Sequence, residues 1–199
     1  MAPQFLLFDL GGVLIELGGT AEVGLFAGRT DMDAIWAEWL ASPVIRDYER
    51  GFCSTADFGR RMVESHKLSV SPDEFLKTYE SWTKKLSSGT AELLAQVGKR
   101  IPYGCFSNTC ELHWRRQAQD WGLEEMFETR FLSFEMGLVK PDREAFDHVA
   151  ASLGMVPEHI LFLDDNRLNV EGARAAGFDA HQVEGLEEAR GALREYGLI

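Results

Sequence analysis

Positively charged side chains are scarce in this sequence. Lysine and arginine contribute 20 of its 199 residues against 32 aspartates and glutamates, and the formal net charge is −12 at pH 7. Nucleic acids and anionic membrane surfaces offer such a chain no electrostatic attraction, so we expect no partner of either kind. A small anionic substrate is still compatible with this charge, because a metal ion and helix N-termini can reverse the field locally.

Cysteines and long apolar runs are scarce as well. The three cysteines, Cys53, Cys105 and Cys110, follow no metal-ligand spacing, and we interpret them as buried or idle thiols. No apolar run approaches the length of a membrane span, and no basic segment precedes a long apolar one. These absences predict a reduced, cytoplasmic protein.

The first pattern that is present lies close to the start of the chain. An unbroken apolar run, Phe5 to Phe8, predicts a strand buried on both faces, as in a parallel sheet. Asp9 follows at the carboxyl end, where open α/β sheets bind ligands, and Gly11 and Gly12 let the backbone turn sharply there. A carboxylate in this position can bind a metal, attack an electrophile or simply cap the next turn, and the local pattern does not decide between these roles.

The order of the predicted elements indicates the fold class. From about Thr20 to Ser88 the sequence predicts helices and no convincing strand, whereas strands and helices alternate after Gly89. This order predicts an α/β protein with a doubly wound, Rossmann-like parallel sheet, helices on both faces and an inserted all-helical cap. We expect residues 1–15 and 88–199 to form the core domain and residues 16–87 to form the cap.

Polar residues follow two further predicted strands. Ser107, Asn108 and Thr109 come after the strand predicted for 101–106, and they supply a hydroxyl and free N–H groups for an anion or merely cap the next helix. Asp164 and Asp165 come directly after the apolar strand 160–163. Two adjacent acids repel each other unless a cation or hydrogen bonds stabilise them, and capping by one of them leaves the other unexplained.

Lys140 lies before Pro141 at a predicted helix start. A cation is locally unfavourable beside the positive end of the helix dipole, so this lysine indicates an anionic partner unless it is an ordinary surface lysine. The strand-end residues then fit one chemistry: an aspartate nucleophile and an acid pair that hold Mg²⁺, with a hydroxyl, N–H groups and a lysine around a phosphoryl group.

At this point the sequence resembles the haloacid dehalogenase-like (HAD) hydrolase superfamily over nearly its whole length. Four short segments resemble its four motifs in order: 8–13, 106–109, 140–141 and 163–166, the last with Asn169, Gly172 and Ala173 behind it. The resemblance is strongest to a bacterial subgroup that includes an alpha-D-glucose-1-phosphate phosphatase. It implies a C1-type cap and Mg²⁺-dependent hydrolysis of small phosphomonoesters, sugar phosphates among them, through an aspartyl-phosphate.

The resemblance also implies a role for each site residue. Asp9 is the nucleophile, and Mg²⁺ is held by Asp9, the Gly11 carbonyl and Asp165, with Asp164 in support. Phosphate is bound by Ser107, Asn108 and Lys140, and Lys140 also serves the chemistry. The expected partner is a small phosphorylated metabolite, and the expected assembly is a monomer or a homodimer.

Gly11 departs from the usual pattern of phosphatases in this superfamily. They carry a second aspartate at that position, which protonates the leaving group and then activates water, and glycine does neither. General acid–base help is worth ~10²–10⁴-fold, so its loss slows turnover without abolishing it. Glu16 or a cap residue such as Glu49 is a candidate substitute.

Two other functions stay open at this stage. A non-catalytic or very slow protein of this fold is the first alternative, and Gly11 is its support. A 2-haloacid dehalogenase is the second; it shares the nucleophile and the missing aspartate, but such enzymes need no metal and keep no acid pair like Asp164 and Asp165.

Overall fold

A five-stranded parallel sheet forms the centre of the molecule in the computed structural model, which describes residues 2–18 and 31–199. Its strands, in spatial order, are β5 (Thr129–Leu132), β4 (Tyr103–Ser107), β1 (Phe5–Phe8), β6 (Ile160–Asp164) and β7 (Asp179–Gln182). Every neighbouring pair runs parallel. The predicted fold class is therefore confirmed, and the predicted strands match within three residues at either end.

Strand β1 is central because both of its faces are apolar. Leu6 and Phe8 pack into one hydrophobic cluster, while Phe5 and Leu7 pack into another on the opposite face of the sheet. All four side chains are buried, as period-two alternation requires of a strand covered by helices on both sides. The two clusters make this strand the shared wall of the core.

Helices cover both faces and build the cap. The cap carries α1 (Met32–Ala41), α2 (Pro43–Glu49), α3 (Thr55–His66) and α4 (Pro72–Glu80). The core carries α5 (Thr90–Val97), α6 (Glu111–Trp121), α7 (Leu123–Met126), α8 (Ser133–Met136), α9 (Arg143–Leu153), α10 (Arg167–Ala175) and α11 (Gly185–Glu195). Helix α4 begins with a capping box, in which the side chains of Ser71 and Glu74 accept from each other's backbone N–H. None of the helices in the described ranges is both long and apolar enough to cross a membrane.

One part of the predicted cap is wrong. The sequence indicated no strand between residues 20 and 88, yet Thr83–Leu86 forms β3 and pairs antiparallel with β2 (Ile15–Leu17). The pairing partners lie far apart in the chain, so neither short segment carries a local signal of its own. A strand over 15–17 thus precedes the predicted helical region, whose residues 20–30 lie outside the described ranges. The exact domain boundaries stay a prediction.

An ion-pair cluster joins the cap to the core near the sheet edge. Arg46 of α2 and Arg50, which directly follows α2, both donate to Asp142 Oδ2, the latter at 2.6 Å. Asp142 is two residues after Lys140, so this contact attaches the cap helix to the segment that carries Lys140. All three side chains are only 21–28% exposed, which shields the pairs from solvent more than at an open surface.

A close approach between helix α10 and the segment that carries Lys140 depends on Gly172. A Cβ at this position would lie 2.8 Å from the Pro141 carbonyl oxygen and 3.1 Å from the Phe146 ring. Contacts this short with a backbone atom force the helix or the segment to move. Gly172 therefore lets α10 support the Pro141 segment directly.

We predict that Gly172→Ala destabilises the protein although alanine favours helices. The overlap costs ~1–3 kcal/mol, which outweighs the ~0.5–1 kcal/mol that alanine normally gains over glycine inside a helix. Gly191→Ala in α11 is the matched control, because its Cβ would meet nothing within 4 Å. Urea unfolding should show a lower free energy of unfolding for Gly172→Ala and an equal or higher one for the control; equal stability of Gly172→Ala and the parent chain would contradict the packing account.

Candidate active site

The strand ends singled out in the sequence meet at one edge of the sheet. Strands β4, β1 and β6 are neighbours, so Ser107, Asp9 and Asp164 lie side by side at their carboxyl ends. The backbone N–H of Asp9 donates to the Leu163 carbonyl at 2.8 Å, which fixes its position against β6. Asp9 is 7% exposed and Asp164 is fully buried. The edge is therefore a buried, polar site between core and cap.

Lys140 is the charge at the centre of this site. Its side chain is fully buried, and Nζ donates to Asp9 Oδ1 at 2.8 Å, to Asp164 Oδ2 at 2.6 Å and to the Phe106 carbonyl at 2.8 Å. Burial alone would lower the pKa of Lys140, but the two carboxylates outweigh it and the pKa is raised. Lys140 is thus no surface lysine. All three of its N–H donors are engaged by protein oxygens, so contact with a phosphoryl oxygen requires the exchange of one of these bonds.

Asp164 is held by donors on every side. Besides Lys140, its carboxylate accepts from the Asn166 backbone N–H at 2.8 Å and from Asn169 Nδ2, which lies 3.1 Å from both oxygens. A carboxylate that accepts from this many donors cannot rotate freely. Asp164 is therefore fixed beside Lys140, and its supporting role in metal binding stays a prediction.

Asp165 faces the turn that follows Asp9. A Cβ at Gly12, whose φ is 74°, would overlap the Asp165 carboxylate, so only glycine lets that carboxylate lie against the turn. Carboxylate oxygens of Asp9, Asp164 and Asp165 lie within 4.8 Å of one another. Burial and the two neighbouring acids raise the pKa of Asp165 to about 8, while burial raises that of Asp9 to about 6. A crowded set of hard oxygen ligands, whose repulsion Lys140 offsets only in part, fits a divalent cation such as Mg²⁺.

The second predicted motif acts partly as a brace. Asn108 Nδ2 donates to the Lys140 carbonyl at 2.9 Å, and the Lys140 N–H donates back to Asn108 Oδ1 at 2.8 Å. The Asn108 side chain is therefore occupied in holding Lys140, and the phosphate contacts expected of Ser107 and Asn108 stay predictions. Ser133, which the sequence reading missed, fixes the turn from the other side through both the N–H and the carbonyl of Thr109. Ser133 directly follows β5, so a serine after a predicted strand could have been identified from the sequence as a site residue.

Core and cap together enclose an inner cavity of about 100 Å³. We define it by its polar lining, which includes Asp9, Glu49, Ser107, His113, Lys140 and Asp165. An outer cleft of about 620 Å³ shares Leu17, Trp36, Trp82, Asp165 and Asn166 with this cavity. Among the described residues, the outer cleft therefore adjoins the inner cavity, which Asp9 lines.

Some cap side chains face the inner cavity, and others pack away from it. Trp36 and Trp39 line the inner cavity, whereas Arg46 and Arg50 bind Asp142 and Tyr48 stacks on Phe58 inside the cap. Thr83 and Gln117 line the cavity too and were missed. Gln117 is four residues after His113 and so shares its face of α6, which is a signal that the sequence did contain.

Gly11 lines the same cavity and has room for a larger residue. A Cβ there would come no closer than 3.4 Å to Leu17 Cδ1, an ordinary contact with a flexible side chain. Packing therefore does not explain the missing second aspartate. Glu16, one of the two substitutes considered for it, is half exposed and pairs with Lys85 at 3.2 Å.

Comparison with known proteins points to one family. A family model described as haloacid dehalogenase-like hydrolase matches residues 53–183. The D-ribitol-5-phosphate phosphatase of Bacteroides thetaiotaomicron is 21% identical over 90% of this chain and 91% of its own length. The phosphorylated carbohydrates phosphatase of Thermotoga maritima is 24% identical over 88% of this chain and 82% of its own.

A solved structure resembles the whole molecule. It is a HAD family enzyme from Bacteroides thetaiotaomicron in complex with magnesium and inorganic phosphate, and it superimposes with a TM-score of 0.73. The two chains are 25% identical, over 92% of this chain and 94% of that one.

We predict that Lys140→Met destabilises the fold strongly. The substitution leaves Asp9 and Asp164 buried beside each other without their cation, and removal of one member of a buried ion cluster costs ~3–5 kcal/mol. Lys85→Met is the control, because Lys85 is 65% exposed and its pair with Glu16 is screened by solvent. Chemical unfolding in the presence of a chelator should separate the two variants clearly. A Lys140→Met variant as stable as the control would show that the buried pairs carry little free energy.

Proposed function

The chain belongs to the haloacid dehalogenase-like hydrolase family, and on that premise we propose that it is a Mg²⁺-dependent phosphatase of small phosphomonoesters. The observation that carries the proposal is the cluster of Asp9, Asp164 and Asp165 around the edge of the sheet, with buried Lys140 bonded to the first two. Such a cluster offers a nucleophile, a cation site and a counter-charge within one small cavity.

Each residue has a defined task in this proposal. Asp9 and Asp165, with the Gly11 carbonyl, would hold Mg²⁺, which when bound neutralises charge on the phosphoryl oxygens. Asp9 attacks phosphorus through the carboxylate oxygen that does not bond Lys140, so that an aspartyl-phosphate forms. Lys140 keeps Asp9 ionised and oriented. Ser107 Oγ and the Asn108 backbone N–H bind phosphoryl oxygens.

The acid pair argues for this function over a dehalogenase. A dehalogenase needs a carboxylate nucleophile and no cation, so burial of Asp165 against Gly12, beside two further carboxylates, would be a cost without a use. Gly11 still leaves room for a slow enzyme, because no carboxylate stands two residues after Asp9. A cytoplasmic location and the choice between monomer and homodimer stay predictions.

For the substrate we propose a hydroxyl-bearing leaving group, such as a sugar or a polyol. Thr83 Oγ1 and Gln117 Oε1 are buried, line the inner cavity and have no hydrogen-bond partner among the described residues. Buried polar atoms without partners are costly, and hydroxyl groups of a bound molecule would satisfy both. The names of the ribitol-phosphate and carbohydrate-phosphate phosphatases among the relatives support the same class. The narrower likeness to a glucose-1-phosphate phosphatase subgroup stays a prediction.

We predict that Asp9→Asn abolishes phosphate release, because an amide is no nucleophile at phosphorus. The measurement is a screen of sugar, nucleotide and small-acid phosphates, with Mg²⁺ and with a chelator, for the parent chain and the variant. Chelation should stop turnover of the parent chain. Undiminished turnover of Asp9→Asn would refute the mechanism, and chloride release from 2-chloropropionate that survives the chelator would restore the dehalogenase reading.

We further predict that Gln117→Leu weakens binding of hydroxylated substrates selectively. A neutral hydrogen bond contributes ~0.5–1.5 kcal/mol, so KM for a sugar or polyol phosphate should rise about twofold to tenfold while KM for p-nitrophenyl phosphate changes little. Gln119→Leu lies on the exposed face of the same helix and serves as the control. Equal KM changes for both substrates would remove Gln117 from the leaving-group site.

A further inference from the structure

We propose that Glu49, contributed by cap helix α2, is the acid and base that Gly11 cannot supply. The proposal rests on the proposed function, because it assigns the proton transfers of that reaction. Its main observation is geometric: Glu49 is 6% exposed and lines the inner cavity that Asp9 and Lys140 line from the side of the sheet. Among the described residues, no ion pair of Glu49 explains its burial.

The in-line geometry of phosphoryl transfer also predicts that the proton donor lies on the cap side of the cavity. In phosphoryl transfer the attacking and leaving oxygens lie roughly in line with phosphorus. Asp9 attacks from the sheet, so the leaving oxygen faces the cap wall. Glu49 belongs to that wall, since it ends α2, and Trp39 Nε1 holds its Oε1 at 3.2 Å.

The other titratable groups of the inner cavity are unsuited to this task. The lining residues with such groups are Asp9, Glu49, Tyr79, His113, Lys140 and Asp165. His113 Nε2 donates to the Tyr79 carbonyl at 2.8 Å, and burial lowers its pKa, so its imidazole is neutral and its remaining nitrogen is an acceptor. Burial raises the pKa of Tyr79 far beyond neutrality. Lys140 is fully engaged, and Asp9 and Asp165 have other roles.

The environment of Glu49 also sets a useful protonation equilibrium. Burial raises the pKa of Glu49 to about 7, while the Trp39 hydrogen bond and the charges of Lys140 and Arg46 oppose that rise. Tyr79 and Cys110 also lie near enough to interact with its charge, and neither is ionised at neutral pH. Both forms of Glu49 are therefore accessible near neutral pH, as an acid that later acts as a base requires.

The two half-reactions then balance. In the first, Asp9 bonds to phosphorus, the bond from phosphorus to the leaving oxygen breaks, and that oxygen takes the Glu49 proton to leave as an alcohol. In the second, Glu49 carboxylate takes a proton from water, the hydroxide bonds to phosphorus, and the bond from Asp9 to phosphorus breaks. Inorganic phosphate leaves, and Asp9 carboxylate and Glu49 carboxyl are restored.

The test compares Glu49→Gln with the parent chain on p-nitrophenyl phosphate and phenyl phosphate. These probes are alike in shape, but the nitrophenolate leaves without a proton and the phenolate needs one. In rapid-mixing experiments with Mg²⁺ the variant should still give a burst of p-nitrophenolate at close to the parent rate, followed by steady turnover slower by ~10²–10⁴-fold. With phenyl phosphate the burst itself should slow by a similar factor.

Several outcomes would overturn the assignment. Equal slowing of the two bursts would mean that Glu49 has a structural role only, and parent-like steady turnover of the variant would mean that it has none. A parent chain that turns over neither probe would instead refute the proposed function itself, so the two failures differ. Glu16→Gln, the rival substitute, should leave both probes unaffected; loss of activity there would transfer the role to Glu16.

Folding of the variant can be checked independently. The pKa of Glu49 is higher in the folded chain than in an unfolded one, so the native state binds more protons and its stability falls as pH rises from about 4.5 through about 7. Glutamine removes that loss and keeps the oxygen that Trp39 bonds. The Tm of Glu49→Gln above neutral pH should thus equal or exceed that of the parent chain.

The pH dependence of the reaction gives a further check. The fall of kcat/KM for phenyl phosphate above about pH 7 in the parent chain should disappear in the variant.

Discussion

The fully buried ammonium group of Lys140 is the interaction on which the site depends. It joins the ends of three parallel strands, because its donors reach Asp9 after β1, Phe106 in β4 and Asp164 in β6. Without it two buried carboxylates would face each other in a medium of low polarity. The surroundings accordingly hold the lysine in place, with Asn108 bracing its backbone and Gly172 giving α10 access to the Pro141 segment. Lys140 therefore determines both the geometry of the proposed site and part of the stability of the fold.

The cap supplies what the core strand ends lack. In the proposed mechanism the core offers a nucleophile, a cation site and a counter-charge, but the turn after Asp9 has Gly11 where a proton donor would stand. The cap adds Trp36, Trp39 and Glu49 above the same cavity, and the Asp142 ion pairs fasten α2 to the segment next to Lys140. Because these ion pairs attach the cap to the core, they also hold Glu49 in place at the inner cavity. This arrangement links cap docking to the proton transfers of the reaction.

Much of the core could be predicted from the sequence, and less of the cap. Strand ends are readable because a buried parallel strand is an apolar run, and a polar residue directly after it must lie at the ligand-binding edge. Asp9, Ser107 and Asp164 were found in this way. Two features were not predicted, because they join residues that are far apart in the sequence. They are the pairing of Thr83–Leu86 with Ile15–Leu17 and the hydrogen bond of the Asn108 amide to Lys140. Partners of that kind are chosen by tertiary contacts and leave no periodic mark in either segment.

Direct detection of the phosphorylated intermediate tests the central claim, that Asp9 is the nucleophile. The parent chain is mixed with Mg²⁺ and p-nitrophenyl phosphate, quenched in acid and reduced with borohydride, which converts an aspartyl-phosphate into homoserine. Peptide mass spectrometry should then find homoserine at position 9 and at no other aspartate. Label at Asp164 or Asp165, or turnover without any labelled aspartate, would contradict the mechanism.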